Sequence, residues 1–168
     1  VCLELGGKSP NIVFDDADFD RALVGALAGI FGATGQTCIA GSRLLVQRGI
    51  YDRMVEGLAA RAAQIVMGDP RLPETEMGTA ANEPQFNKIL SFIEAAKGDG
   101  ARLVAGGGRA EGPGLEQGFF IQPTIFADVR NDMKVAAEEI FGSGLESIRF
   151  ADDEEAVQIA NVTPYGLA

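Results

Sequence analysis

The sequence predicts an α/β domain of three layers, in which a largely parallel β-sheet lies between two layers of helices. Short apolar runs alternate along the chain with longer helical patterns, which is the order typical of parallel strands joined by helical crossovers. A length of 168 residues is enough for one domain with a substantial core. The 46% hydrophobic content is ordinary for a globular protein, and no internal repeat or low-complexity tract divides the chain.

The first part of the chain predicts two strands and two helices in alternation. Residues 11–14 (NIVF) read as a short buried strand, and the acidic turn 15–18 favours the N-terminal end of a helix. That helix is predicted over 19–32 and, because it is apolar on most faces, it should be deeply buried. A second strand follows at 42–47. An amphipathic helix is predicted over 51–66.

The middle of the chain predicts a third helix and a third strand. Glu83 and Pro84 begin the helix, because proline is tolerated in a first turn, and the glycines of 98–100 end it. Residues 101–105 form the strand. The following Gly106-Gly107-Gly108 lacks the spacing of a phosphate-binding loop and is interpreted as a plain loop.

The last part predicts two further strands and a final helix. Residues 119–126 read as an extended strand, and Pro123 places it at a sheet edge or a bulge. Residues 146–150 form the next strand. The helix over 152–162 begins with Asp152 as N-cap and Glu155 at the capping-box position.

Composition excludes several classes of function. The net charge is −10, so there is no basic stripe for nucleic acid or for an anionic membrane surface, and no run approaches the ~20 apolar residues of a membrane span. Two cysteines do not make a disulfide framework, so a reducing, cytoplasmic location is expected. The absence of histidine removes Ser-His-Asp and Cys-His catalysis and argues against a metal site.

Cys38 is the candidate nucleophile. It lies in FGATGQTCIAGSR (31–43), where small residues such as Gly35 and Gly41 leave the sulfur uncrowded. A thiolate that attacks a substrate carbon needs such space. Taken alone, the residue fits a buried structural cysteine better than a nucleophile, since free cysteine is among the most buried residue types.

Glu4 is the candidate general base. It lies in LELGGKSP (3–10), between Leu3 and Leu5 and before two glycines. Apolar neighbours tend to raise the pKa of a carboxylate, which suits a base that works near neutral pH. The alternative is a solvent-facing glutamate on an edge strand.

Taken together, the stretches of 3–10 and 31–42 resemble the two active-site signatures of the aldehyde dehydrogenase superfamily, in the same order. Three later stretches fit the same family: GFFIQPTIF (118–126), EEIFG (138–142) and NVTPYGLA (161–168). The resemblance covers essentially the whole chain. It implies the fold of an aldehyde dehydrogenase catalytic domain.

The resemblance also implies a reaction and a set of site residues. Cys38 would attack the aldehyde, a hydride would pass to NAD or NADP, and Glu4 would activate the water that hydrolyses the thioester. Glu139 would hold the hydroxyls of the nicotinamide ribose, and Phe141 would pack beside that ribose. The Cys38 backbone N–H would be one oxyanion donor. A small-molecule aldehyde is the expected substrate, and the family is usually oligomeric.

The resemblance further implies that residues 1–168 are a partial catalytic domain. The family's N-terminal dinucleotide-binding domain would precede LELGGKSP and is absent from this sequence, so the chain alone is expected to be inactive. An assembly module or pseudoenzyme of the same fold is the alternative. Residues 143–146 (SGLE) depart from the family's proline and apolar pair, which predicts a looser turn and a charge where apolar packing is expected.

Overall fold

The computed structural model describes residues 1–3 and 5–167. Its strands are β1 (Pro10–Val13), β2 (Arg43–Gln47), β3 (Arg102–Ala105), β4 (Thr124–Ala127) and β5 (Gly144–Phe150). Its α-helices are α1 (Phe19–Phe31), α2 (Tyr51–Ala62), α3 (Glu83–Gly98), α4 (Lys134–Ala137) and α5 (Asp153–Asn161). A 3₁₀ turn, Gly32–Gly35, follows α1 directly.

The five strands form one sheet in the order β1-β2-β5-β4-β3. The strands β1, β2, β5 and β4 pair in parallel with their neighbours, and the edge strand β3 pairs antiparallel with β4. Alternate residues of β2 face opposite layers: Leu44 packs with α1 and α2, whereas Leu45 packs with α3 and α5. The predicted three-layer α/β domain with a largely parallel sheet is confirmed.

The prediction that α1 is deeply buried is wrong. Leu23, Ala26 and Ile30 form its buried stripe, but Val24 on the other side is 53% exposed. A cavity of about 420 Å³ borders this exposed side and is lined in part by Val24 and Phe31. Glycine and alanine fill much of the helix surface, so the helix looks apolar all round although only one stripe packs against the sheet.

Two predictions about strand position are also wrong. The first strand was expected to be buried, but β1 is a sheet edge with Ile12 exposed. Pro123 was expected to mark an edge or a bulge within a long strand, yet it immediately precedes β4, which lies between two other strands. Because proline has no N–H, the strand begins at Thr124, whose N–H donates to the Ser143 carbonyl (3.1 Å).

Helix ends largely follow the predicted caps. The Asp152 side chain accepts from the Glu155 N–H (3.0 Å), so the predicted N-cap of α5 is confirmed. The Glu155 carboxylate accepts from the Ala151 N–H (2.6 Å), one residue before the N-cap position that a capping box uses. Helix α2 ends at Ala62, four residues before its predicted end. No helix within 1–3 and 5–167 combines the length and the hydropathy that crossing a bilayer requires.

Candidate active site

Three segments that carry predicted site residues lead into three neighbouring parallel strands. The turn at Gly6–Gly7 precedes β1, the Cys38 loop precedes β2, and the Glu139 loop precedes β5. Pro10, Arg43 and Glu146 form one register row across these strands. Because the strands run in parallel, all three segments lie where the strands begin, at the amino-terminal end of the sheet.

Cys38 lies in a turn between α1 and β2. The turn is closed by the Ala40 N–H, which donates to the Thr37 carbonyl (3.0 Å), and the Gly41 N–H ties it back to the Gly29 carbonyl of α1 (3.1 Å). Cys38 is partly exposed. This exposure favours the uncrowded thiol of the nucleophile interpretation over a structural cysteine in the core.

The turn at Gly6 and Gly7 is wedged between the Cys38 backbone and the Glu139 side chain. The Gly7 N–H donates to Glu139 Oε1 (3.0 Å). A Cβ added to Gly7 would lie 2.3 Å from the Cys38 carbonyl oxygen, and one added to Gly6 would lie 2.7 Å from Glu139 Oε2. The Gly7 approach, to a backbone atom, requires glycine, whereas at Gly6 the flexible Glu139 side chain could move. The turn thus joins the Cys38 loop to the Glu139 loop.

The Glu139 loop is held from two sides. The Tyr165 hydroxyl accepts from the Glu139 N–H (3.1 Å). The Gln85 side-chain amide, in the first turn of α3, donates to the Ile140 carbonyl (2.9 Å) and the Phe141 carbonyl (2.7 Å). Phe141 has a φ of 57°, which costs of order 1–3 kcal/mol for a non-glycine residue, and the residue is 36% exposed. The Gln85 bonds therefore support a strained backbone at this loop.

The loops before β2 and β5 also touch directly. Gly35 has a φ of 71°, and a Cβ there would lie 2.1 Å from the Gly142 carbonyl oxygen. The Ser143 hydroxyl donates to the Thr34 carbonyl (3.2 Å) in a fully buried contact. The turn predicted to be loose at this point is thus packed and hydrogen-bonded. Between the loops lies a narrow pocket with space for about one water molecule.

A buried cluster of three charged side chains lies beneath these loops. Lys8 and Glu146 are 1% and 0% exposed, and Lys8 Nζ lies 2.8 Å from Glu146 Oε2. Burial raises the pKa of Glu146 to about 7, although the Lys8 ammonium and Arg43 act to lower it. Burial also disfavours the charged ammonium of Lys8, and therefore lowers its pKa. The expectation that the charge at Glu146 disturbs apolar packing is corrected, because Lys8 pairs with it.

Arg43 connects this cluster to the end of α5. Its guanidinium donates to the Lys8 carbonyl (2.9 Å), the Ile159 carbonyl (3.0 Å) and the Ala160 carbonyl (2.8 Å). The last two are C-terminal helix carbonyls, which favour a positive charge. Helix α5 is followed by Tyr165, whose hydroxyl accepts from the Glu139 N–H. Arg43 therefore anchors the segment that supports the Glu139 loop.

Of the four predicted site residues, the structure brings Cys38, Glu139 and Phe141 together at the amino-terminal end of the strands. Glu4 lies outside the described residues. Within 1–3 and 5–167 no group of three or more potential metal ligands occurs, and the Cys38 N–H has no hydrogen-bond partner there.

Sequence reasoning missed the residues that support the site. Lys8 carried a signal, since a lysine between two glycines and a strand predicted to be buried is unusual. Tyr165 carried none beyond the family resemblance of its stretch. Gln85 carried none, because a glutamine in the first turn of a helix is ordinary.

The comparisons with known proteins cover the whole chain. The model of the aldehyde dehydrogenase family matches residues 1–168. A betaine aldehyde dehydrogenase of Brucella anthropi is 48% identical over all of this chain and 34% of its own length, and an aldehyde dehydrogenase of Aspergillus niger is 51% identical over all of this chain and 33% of its own length. The chain therefore spans about a third of the length of these relatives.

Solved structures agree with the sequence relatives. A betaine aldehyde dehydrogenase from Staphylococcus aureus in complex with NAD+ has a TM-score of 0.95 and 41% identity, over 97% of this chain and 32% of that one. The HpcC protein of Thermus thermophilus has a TM-score of 0.94 and 46% identity, over 97% of this chain and 32% of its own.

Proposed function

The chain belongs to the aldehyde dehydrogenase family, and we propose that it carries the reacting thiol and the cofactor-ribose carboxylate of an enzyme that oxidises an aldehyde to a carboxylic acid. The supporting observation is the Gly6–Gly7 turn, which contacts the Cys38 carbonyl and the Glu139 carboxylate at once. Three segments far apart in sequence thereby share one site. The cofactor is NAD or NADP.

Cys38 would form the covalent bond to substrate. Its thiolate would attack the aldehyde carbon, and the acid would later be released from a thioester. Sulfur is suited to the attack because it is a good nucleophile near neutral pH, and to the release because it is a good leaving group. The Cys38 N–H has no partner within the described residues and would donate to the oxyanion, a contribution of about 3 kcal/mol in comparable sites. Without histidine in the chain, the thiolate must be favoured by backbone N–H groups or a nearby positive charge.

Glu139 and Phe141 would hold the cofactor, and the residues present fit it. Glu139 uses Oε1 for the Gly7 N–H, and within the described residues Oε2 accepts no hydrogen bond, so an acceptor remains for ribose hydroxyls. Phe141 is an exposed aromatic residue that lines the same pocket as Glu139, so its ring would pack beside the ribose. Bound NAD(P)+ would supply the hydride acceptor. Glu139 would orient it, because the Gly7 and Tyr165 contacts fix the carboxylate and its backbone.

Glu4 would activate the water that hydrolyses the thioester. The support for this role is that Gly7, in the same stretch of sequence as Glu4, packs on the Cys38 carbonyl. The pocket between the loops has room for about one water molecule. We propose that the 168-residue chain, which spans 34% of the Brucella anthropi relative, does not oxidise aldehydes by itself.

A chimera tests this function. Residues 1–168 replace the matching third of the Brucella anthropi betaine aldehyde dehydrogenase, which is 48% identical over this region. The purified chimera is assayed for NADH formation with betaine aldehyde and with a simple aliphatic aldehyde. We expect NADH formation from the chimera, abolition by Cys38→Ser and none from the 168-residue chain.

Two variants make the assay specific. Cys2→Ser is the matched control for Cys38→Ser, because Cys2 is exposed, and it should leave the rate unchanged. Glu139→Gln should raise the KM for NAD+ more than it lowers kcat at saturating cofactor. A folded chimera that is inactive would instead favour a pseudoenzyme or assembly module. Activity that survives Cys38→Ser would contradict the assignment of Cys38 as the reacting thiol.

A further inference from the structure

The Lys8–Glu146 pair is a buried charged contact that the proposed chemistry does not use. Both side chains are almost fully buried, and the contact joins residues 138 positions apart, one before β1 and one in β5. Glu146 Oε1 has no hydrogen-bond partner within the described residues. A buried ion pair is often no more stabilising than well-packed apolar residues of similar volume. Stability alone therefore does not account for it.

The location of the pair suggests what it does. Lys8 directly follows Gly7, whose N–H meets Glu139 and whose backbone packs on Cys38. Two consecutive glycines have little conformational preference of their own, so the turn needs an anchor outside itself. The Lys8 side chain is that anchor on one side. Its partner Glu146 belongs to the strand that directly follows the Glu139 loop.

The anchor is shared with the Cys38 loop. The Glu146 N–H donates to the Ser42 carbonyl (2.8 Å), at the end of that loop, and Arg43 donates to the Lys8 carbonyl (2.9 Å). Lys8 and Arg43 are the two charged groups that face Glu146. The cluster thus fixes the start of β1, β2 and β5 relative to one another, directly beneath the three segments of the site.

We propose that Lys8 and Glu146 are positioning residues, whose buried contact holds the Gly6–Gly7 turn against Cys38 and Glu139. This rests on the proposed function only in that Cys38 and Glu139 are taken as the working groups. Neither Lys8 nor Glu146 is assigned a contact with substrate or cofactor.

Hydrogen exchange of the Gly7 amide tests the proposal in the 168-residue chain. The exchange rates of Gly7 and of core amides in β2 and β5 are measured by NMR for the wild type, Glu146→Gln, Glu146→Met and the double variant Lys8→Met/Glu146→Met. Methionine matches the bulk of both side chains without the charge. Glutamine keeps an oxygen that can accept from Lys8. Asp128→Asn is the control, since Asp128 follows β4 at the opposite end of the sheet.

We expect Gly7 to exchange at least about tenfold faster, relative to the core amides, in Glu146→Met and in the double variant. In Glu146→Gln and Asp128→Asn its relative rate should stay near that of the wild type. The double variant carries the test if Glu146→Met does not fold, because it removes the ammonium together with the carboxylate, while Arg43 keeps its hydrogen bonds to backbone carbonyls.

Three results would overturn the proposal. These are a Gly7 amide as protected in the double variant as in the wild type, a loss of protection shared equally by the core amides, and a Glu146→Gln variant that exchanges as fast as Glu146→Met. None of them involves aldehyde oxidation, so failure here leaves the chemistry of Cys38 to be judged by the chimera. An inactive chimera would likewise leave the exchange result intact.

Discussion

Gly7→Ala is the substitution expected to damage the site most directly. The added Cβ would lie 2.3 Å from the Cys38 carbonyl oxygen and 3.2 Å from the Leu167 carbonyl oxygen. Ordinary contact begins near 3.4 Å, so the Gly7 and Cys38 backbones must separate by about 1 Å (3.4 − 2.3). That movement also breaks or lengthens the hydrogen bond from the Gly7 N–H to Glu139, now 3.0 Å.

The expected loss of stability follows from these two effects. Overpacking in a closed contact costs about 1–3 kcal/mol. A hydrogen bond to a charged group contributes about 1.5–3 kcal/mol. We therefore expect Gly7→Ala to lower the free energy of unfolding by roughly 3 kcal/mol, which is a large part of the 5–15 kcal/mol typical of a domain but leaves a folded protein.

Two measurements check this prediction. Urea unfolding gives the free energy of unfolding, and peptide mass spectrometry after timed iodoacetamide treatment gives the alkylation rate of Cys38, with exposed Cys2 as internal reference. We expect the ratio of the Cys38 rate to the Cys2 rate to differ from that of the wild type, because the Cys38 backbone must move away from the added Cβ. Gly108→Ala is the matched control, because a Cβ there meets nothing within 4 Å. Equal stability and equal Cys38 reactivity in the two variants would refute the reasoning.

Three further predictions concern other contacts. Gly35→Ala combines a φ of 71° with a Cβ 2.1 Å from the Gly142 carbonyl oxygen, so it should lower the free energy of unfolding in urea by at least about 2 kcal/mol. Gly25→Ala, in open space on α1, should raise it by about 0.5–1 kcal/mol. Tyr51→Phe should cost about 1–3 kcal/mol, because the buried hydroxyl donates to the Ser147 carbonyl and accepts from the Asp128 N–H; a variant of wild-type stability would contradict this. Burial raises the pKa of Glu146 from 4.5 to about 7, so between these pH values the folded chain binds more protons than the unfolded chain. This carboxyl should therefore lower the free energy of unfolding by about 3 kcal/mol as the pH rises from 4.5 to 7. Glu146→Gln should remove that contribution in unfolding curves at a series of pH values, and an unchanged pH dependence would count against the buried carboxyl as its source.

Parts of the fold were predictable because they follow from short-range patterns. Alternating strands and helices gave the parallel three-layer domain, and Asp152 with Glu155 gave the start of α5, since capping depends on residues a few positions apart. The failures share one cause. Whether β1 lies at an edge, or which side of α1 is covered, depends on strand order and on neighbours far away in the chain, which periodicity does not contain.

The sequence by itself determined which chemical groups are available: a thiol at Cys38 among small residues, a carboxylate at Glu139, and no histidine. Only the tertiary structure decided how they are held. It set Gly7 against both Cys38 and Glu139, and it paired Lys8 with Glu146 across 138 positions. The physical reason is that residue type and local spacing fix reactivity and secondary structure, whereas contacts between strand ends arise only when the sheet order brings distant segments together.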